Sequence, residues 1–159
     1  MMMKIGDQIP EYLGVDEAGH EYTREGLRGR KVILYFYPKD NTSGCTAEAC
    51  SLRDGWEELK EKGWTVIGVS KDSAKSHVKF KEQHHLPFPL ITDPETKLQE
   101  AFGVWVEKKM YGRSYMGTLR STFLIDEEGI VRSVLSGKEI KTGDHAAQLL
   151  QVIDALKDA

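Results

Sequence analysis

Two nearly apolar runs in the first half of the chain constrain the fold more than any other feature. Residues 32–37 and 65–70 are rich in β-branched and aromatic side chains, which is typical of strands buried on both faces of a parallel sheet. Between them, residues 42–62 carry apolar side chains at helical spacing, and Gly63 follows where a helix commonly ends. Because parallel strands need a long crossover connection, the three segments predict a βαβ unit.

The rest of the chain extends this unit into a mixed α/β fold. Its patterns predict short strands at 12–15 and 20–22, helices at 73–85, 94–103 and 142–156, and a hairpin of strands at 121–125 and 129–135. Strands that alternate with helices and end in a hairpin favour an α/β sandwich, with a mixed central sheet flanked by helices. The sequence contains no repeat and no long linker, so we expect a single domain over residues 1–159.

Charge and hydropathy exclude several classes of function. The chain has 25 acidic and 22 basic residues, and its net charge of −3 gives no general reason to bind nucleic acid. The longest unbroken apolar stretch, residues 32–37, is far shorter than the ~20 residues of a membrane span. The first residues lack the apolar segment of a secretory signal. We therefore expect a cytoplasmic protein without nucleic-acid or membrane partners.

The two cysteines, Cys45 and Cys50, lie five residues apart in the predicted helix 42–62. Lasting structural disulfides are uncommon in the cytoplasm, so this close pair indicates chemistry. If Thr42 is the N-cap, Cys45 occupies the third helical position, where unpaired N–H groups and the helix dipole favour a thiolate. Thr42 and Arg120, which precedes the predicted strand at 121–125, are candidates to bring a hydroxyl and a guanidinium to the same pocket.

At this point the sequence resembles a known family. Residues 36–50 closely resemble the active-site segment of the peroxiredoxins, in particular the bacterioferritin comigratory protein (peroxiredoxin Q) group. The core Pro38-x-x-x-Thr42-x-x-Cys45 matches the family signature Pro-x-x-x-Thr/Ser-x-x-Cys. The resemblance continues through residues 88–93, 115–117 and 120–126, and so covers most of the chain.

The resemblance implies a thioredoxin-like fold and a thiol peroxidase that reduces hydrogen peroxide and alkyl hydroperoxides. Carried over by position, Cys45 is the peroxidatic cysteine, and Cys50 is the resolving cysteine that forms an intramolecular disulfide with it. Thr42 and Arg120 bind and polarise the peroxide, and Pro38 shields the pocket from water. The activity requires no metal, flavin or haem. Thioredoxin is the expected reductant, and an internal resolving cysteine favours a monomer.

The spacing of the two cysteines has a physical consequence. Five residues along an ideal helix separate the Cα atoms by roughly 8.6 Å. A disulfide tolerates at most about 7 Å between Cα atoms. We therefore expect the first turns of the helix to unwind before Cys45 and Cys50 can bond.

Other protein classes share parts of this pattern. A disulfide-exchange protein on the same scaffold usually has Cys-x-x-Cys, and a copper-delivery module would use two cysteines and a histidine without the Thr42 and Arg120 pair. A zinc site needs four ligands in matched pairs, which Cys-x4-Cys with dispersed histidines does not supply. No Gly-x-Gly-x-x-Gly follows a predicted strand, so a dinucleotide cofactor is unsupported.

Three features remain open or atypical. Glu48, one helical turn beyond Cys45, either orients Arg120 or is a solvated helix residue. Ser43 stands where the group often has proline, so we expect a more mobile helix start. The histidines lie on polar stretches, and we expect them to be solvated: His20, His77, His84, His85 and His145.

Overall fold

A seven-stranded mixed sheet lies at the centre of the computed structural model, which describes residues 1–157. The strands are β1 (Tyr12–Asp16), β2 (Glu21–Thr23), β3 (Lys31–Phe36), β4 (Trp64–Ser70), β5 (Leu90–Thr92), β6 (Trp105–Met110), β7 (Arg113–Thr118), β8 (Ser121–Ile125) and β9 (Val131–Ser136). The helices are α1 (Arg24–Leu27), α2 (Ser43–Asp54), α3 (Trp56–Glu61), α4 (Ala74–His84), α5 (Lys97–Phe102) and α6 (His145–Lys157). The strand order is β2-β1-β5-β4-β3-β8-β9, and β6 and β7 form a separate two-stranded sheet.

Strand β3 lies between a parallel and an antiparallel neighbour. It pairs with β4 in parallel, and with β8 antiparallel in a register that places Phe36 opposite Ser121. Five of its six residues are buried, as the apolar run predicts. The connection from β3 through α2 and α3 to β4 is the predicted βαβ unit.

The side chains of β3 alternate between two apolar clusters, because successive residues of a strand point to opposite faces. Ile33 and Tyr35 lie in a cluster that contains Cys45 and the buried faces of α2, α4 and α6. Leu34 and Phe36 lie in the other cluster, with Phe102 of α5 and Phe123 of β8. Helices therefore cover both faces of the sheet, as predicted.

The predicted helix 42–62 is in fact two helices, because Gly55 interrupts it between α2 and α3. At this point α6 crosses closely: a Cβ atom on Gly55 would lie 2.5 Å from the Cβ of Ala146. The helix end at Gly63 is confirmed, with φ of +88°. Two other predicted helices begin later than expected, at Lys97 for α5 and at His145 for α6, where a 3-10 turn over Thr142–Asp144 comes first.

The β6–β7 hairpin is absent from the sequence prediction. Its two-residue turn, Tyr111 and Gly112, has φ values of +52° and +77°, the conformation that tight hairpin turns require. The sequence pattern does not predict these strands, because most of their side chains are polar or exposed and no alternating buried face results. Among the helices within residues 1–157, none is long and apolar enough to cross a membrane.

Replacement of Gly55 by alanine tests the close crossing of α2 and α6. The added methyl group overlaps Ala146, so we expect Gly55→Ala to lower the free energy of unfolding by about 1–3 kcal/mol. Urea denaturation measures this change. Gly143→Ala is the matched control, because a Cβ there meets no atom within 4 Å. Equal stability of the two variants would contradict the close packing of α6 on Gly55.

Candidate active site

The N-terminus of α2 holds Cys45 where the sequence predicts it. Thr42 is the N-cap with extended backbone, and Cys45 is the third helical residue and is 1% exposed. The Thr42 carbonyl accepts the first helical hydrogen bond, from the Thr46 N–H at 2.8 Å. The Thr42 hydroxyl, however, does not cap the helix: it donates to the Lys39 carbonyl at 2.8 Å. The N–H groups of the first turn therefore remain available to the Cys45 sulfur and its surroundings.

Arg120 lies directly against the sulfur. Its Nη2 donates to Cys45 Sγ at 3.3 Å, although the two residues are 75 positions apart in the chain. Arg120 ends the short connection between β7 and β8, and its side chain is 18% exposed. Burial disfavours the charge of Arg120, but the negative charges of Glu48 and Cys45 outweigh it and raise the pKa of the guanidinium. A fixed cation thus faces the cysteine, as the sequence predicts.

Glu48 holds the other side of this guanidinium. Its Oε1 accepts from Arg120 Nη1 at 2.6 Å, and the residue is 0% exposed, so the interpretation as a solvated helix residue is wrong. Burial raises the pKa of Glu48 to about 7 against the opposing effect of Arg120. The signal in the sequence was the three-residue spacing from Cys45, which places both side chains on one face of the helix.

His145 lies behind Glu48 and is fully buried, so its predicted solvation is wrong. Its Nε2 is 3.7 Å from Glu48 Oε2 and 2.8 Å from the Thr122 hydroxyl, and its Nδ1 is 3.0 Å from Gln148 Oε1. Burial lowers the pKa of His145, and the nearby Arg120 charge adds to the effect. The ring thus links the start of α6 to Thr122 of β8 and lies beside Glu48 without a hydrogen bond to it.

The remaining histidines differ in their exposure. His77 is also fully buried, on the opposite side of the loop that precedes α2, so its predicted solvation is wrong as well. His20 and His85 are exposed as expected, and His84 is half-buried. The two errors share a cause: each buried histidine lies on a helix whose polar residues are mostly exposed, and only the tertiary packing turns that one position inward.

Cys50 lies on the same uninterrupted helix as Cys45 and is half-buried. Both cysteines are free thiols. The ideal-helix separation of roughly 8.6 Å therefore applies to their two Cα atoms. Pro38, half-buried, lies in the loop between β3 and α2.

The sequence prediction lacks the β6–β7 hairpin and therefore also lacks Lys108, a second basic residue whose charge acts on Cys45. Lys108 of β6 is half-buried, and its stem lies over Gly117 of β7. Burial and the Arg120 charge lower the pKa of Lys108, while Cys45 acts in the opposite direction. The region around Cys45 thus combines a helix N-terminus with two basic side chains.

Comparison with known proteins agrees with this arrangement. The family model described as "AhpC/TSA family" matches residues 5–134. Peroxiredoxin Bcp of Bacillus subtilis is 45% identical over 158 residues, which cover 99% of each chain. Among solved structures, a mutant of PrxQ from Xylella fastidiosa has a TM-score of 0.89 at 32% identity and covers 99% of each chain.

A third relative is the bacterioferritin comigratory protein of Xanthomonas campestris. Its structure has a TM-score of 0.84 at 34% identity, covering 94% of this chain and 99% of that one. These proteins share the thioredoxin-like fold that the resemblance implied. The chain therefore belongs to the AhpC/TSA family, as a thiol peroxidase of the Bcp and peroxiredoxin Q group.

Proposed function

We propose that this peroxidase reduces hydrogen peroxide and alkyl hydroperoxides through a sulfenic acid on Cys45 and a disulfide with Cys50, and that thioredoxin recycles it. The observation that carries the proposal is the 3.3 Å contact of Arg120 with the Cys45 sulfur at the N-terminus of α2. A buried sulfur with a fixed cation and free N–H groups is suited to a reaction that develops negative charge on oxygen.

In the first step the Cys45 thiolate attacks one peroxide oxygen. The S–O bond forms as the O–O bond breaks, so sulfur loses two electrons and the leaving oxygen receives them. That oxygen departs as hydroxide or alkoxide and takes up a proton to give water or an alcohol. Arg120 stabilises the developing charge, and Glu48 keeps the guanidinium in place through its 2.6 Å hydrogen bond.

Thr42 acts in this step as a hydrogen-bond acceptor. Its hydroxyl hydrogen is committed to the Lys39 carbonyl, so only its oxygen lone pairs remain for a substrate. A peroxide O–H can donate to them, which orients the reactive oxygen toward Cys45. Pro38 supplies no hydrogen-bond donor from its backbone and helps to keep water from the pocket.

In the second step the Cys50 thiolate attacks the sulfenic sulfur of Cys45 and displaces hydroxide, which leaves as water. The two Cα atoms are separated by roughly 8.6 Å on an ideal helix and must approach to about 7 Å or less, so the start of α2 unwinds. Glu48 lies between the two cysteines in sequence. Unwinding therefore also removes its carboxylate from Arg120.

A dithiol protein reduces the product. The disulfide formed by unwinding is exposed and strained, which makes it a good target for a low-potential reductant such as thioredoxin. The bacterioferritin comigratory protein of Xanthomonas campestris is described as having alkyl peroxide reduction activity, which supports alkyl hydroperoxides as substrates here. Because the resolving cysteine is internal, the cycle is complete in a monomer, and its need for a thiol reductant agrees with a cytoplasmic location.

Replacement of Cys45 by serine tests the attacking group. We expect wild-type protein to lose thiol in hydrogen peroxide at least about 100-fold faster than free cysteine, since one preorganised donor alone is worth about 10²–10³ in rate. Cys45→Ser removes this fast phase, whereas the matched variant Cys50→Ser keeps it. Quenched-flow thiol titration measures the rates. Wild-type thiol loss at the rate of free cysteine would refute the peroxide chemistry.

Replacement of Cys50 by serine tests the resolving role. Cys50→Ser still reduces one equivalent of peroxide, because Cys45 and its surroundings are intact. Turnover with thioredoxin, thioredoxin reductase and NADPH is lost, since no disulfide forms for thioredoxin to attack. The decrease of NADPH absorbance follows this reaction. Full turnover in the variant would show that Cys50 is not the resolving cysteine.

Amide hydrogen exchange tests the unwinding of α2. In the reduced protein the amides of residues 46–50 are protected by helical hydrogen bonds, and in the disulfide form we expect that protection to be lost. The amides of β3 (Lys31–Phe36) provide an internal control that stays protected in both states. Identical exchange of α2 in the two redox states would exclude local unfolding.

A further inference from the structure

The loop between β3 and α2 is fastened to α4 by a buried carboxylate. Asp40 is 6% exposed and accepts three hydrogen bonds: from the Tyr37 hydroxyl at 2.6 Å, the Ser76 hydroxyl at 2.7 Å and His77 Nδ1 at 2.8 Å. Ser76 and His77 both belong to α4. The same loop carries Thr42 at its end, so the anchor lies two residues from a group that contacts the substrate in the proposed function.

The hydrogen bonds of His77 join α4 to the loop on one side of the ring and to β5 on the other. Its Nε2 is 3.0 Å from the Ile91 carbonyl, which can only accept, so Nε2 carries a hydrogen. Its Nδ1 faces a carboxylate oxygen of Asp40, and the nearby Tyr37 hydroxyl gives its own hydrogen to Asp40. A hydrogen bond thus joins Nδ1 directly to Asp40, and both ring nitrogens have a polar partner.

Asp40 is the carboxylate at the centre of the anchor. Burial works against its charge, but the hydrogen bonds from His77 and Tyr37 outweigh burial and hold the pKa of the carboxyl below its ordinary value. Removing one member of such a buried pair leaves the other without a partner. The anchor is therefore a buried pair that is hydrogen-bonded to the loop, to α4 and to β5.

The backbone of Asp40 carries the constraint to Thr42. The Asp40 N–H donates to Asp72 Oδ2 at 2.9 Å, and Asp72 is held by the Ser70 hydroxyl at 2.6 Å. The carbonyl of Lys39 belongs to the same planar peptide unit and accepts from the Thr42 hydroxyl at 2.8 Å. Fixing the N–H of this peptide therefore fixes the direction of its carbonyl, and with it the Thr42 hydroxyl.

We propose that Asp40 is a positioning residue of the peroxide reaction: paired with His77, it holds the Lys39–Asp40 peptide so that the Thr42 oxygen is aimed at the peroxide bound to Cys45. This inference rests on the proposed function, because it gives Asp40 no contact with substrate of its own. The proposal also requires residues outside the sequence signature around Cys45, namely Ser76 and His77 of α4 and Asp72.

A double-mutant cycle tests whether Asp40 acts through Thr42. All variants carry Cys50→Ser, so that only the Cys45 thiol is followed during quenched-flow reaction with hydrogen peroxide. We expect Asp40→Ala to slow this reaction by about 10–100-fold, the usual consequence of a misplaced positioning group. In a Thr42→Val background the same change has an effect of less than about 3-fold, because the two residues act as one unit. Iodoacetamide alkylates Cys45 without help from Thr42. The rate of this alkylation therefore stays within about 3-fold of that of the Cys50→Ser parent in all variants.

Asp16→Ala is the matched control for a general loss of stability. Asp16 is a buried aspartate of β1 whose side chain accepts from the Tyr22 hydroxyl at 2.8 Å and from the backbone N–H groups of Ala18 and His20, outside the loop before α2. We expect its rate with peroxide to remain near wild type. If circular dichroism shows that Asp40→Ala does not fold, Asp72→Ala replaces it in the cycle. Asp72→Ala removes the carboxylate that accepts from the N–H of the Lys39–Asp40 peptide.

Each outcome supports or overturns a stated step. The positioning role would be overturned if Asp40→Ala slowed the reaction with peroxide by the same factor in the Thr42 and Thr42→Val backgrounds. It would also be overturned if Asp40→Ala left that rate unchanged. Absence of a hydrogen bond between His77 Nδ1 and Asp40 in the nitrogen NMR spectrum of the wild-type protein would overturn the anchor. If the wild type itself reacts no faster than free cysteine, the proposed function fails; a fast wild type with an unaffected Asp40→Ala variant contradicts this inference alone.

Discussion

The contact between Arg120 and the Cys45 sulfur depends on the antiparallel register of β3 and β8. Phe36 pairs with Ser121, so the end of β3 and the start of β8 lie side by side at one edge of the sheet. Cys45 follows β3 after a short loop, and Arg120 directly precedes β8. A one-residue slip would turn every side chain of β8 to the other face and move Arg120 away from the sulfur. The buried pairing of the two strands thus determines the distance on which the chemistry rests.

In the proposed cycle, the interactions that build the reactive site also oppose the unwinding that follows peroxide reduction. Glu48 is fully buried against Arg120 and His145, and it lies on the part of α2 that must unwind. Separating one partner from a buried ion pair costs about 3–5 kcal/mol when the other charge stays buried. Arg120 is 18% exposed and so recovers some hydration when Glu48 leaves. In the proposed cycle this recovered hydration offsets part of the cost of opening α2.

The sequence predicted the scaffold and the position of Cys45 at the start of a helix because both leave local signals. The apolar runs identify β3 and β4, and the signature around Cys45 identifies the start of α2. The burial of His77 and His145 leaves no such signal, since it arises from α4 and α6 packing against the loop and helix of the active site. Exposed polar residues lie close to both histidines in sequence, so hydrophobic periodicity cannot single them out.

The break at Gly55 and the β6–β7 hairpin were missed for related reasons. A helix pattern continues across Gly55, and only the approach of Ala146 shows why no side chain fits there. The hairpin has no buried face, so its one local signal is the two-residue turn at Tyr111 and Gly112. Lys108 lies on this hairpin, so only the tertiary structure identifies it as a second basic residue that acts on Cys45.

Glu48 and Asp40, the two carboxylates that anchor the active site, differ in what the proposed unwinding and re-forming of α2 does to them. Glu48 belongs to α2 itself and leaves Arg120 when the helix opens. Asp40 lies before the helix and is bonded to α4, which contributes neither cysteine. Opening α2 therefore releases the anchor on the Arg120 side and leaves the one on the α4 side in place. After reduction of the disulfide, Thr42 and the peptide before it are still oriented, and only the first turns of the helix have to re-form before Cys45 faces Arg120 again.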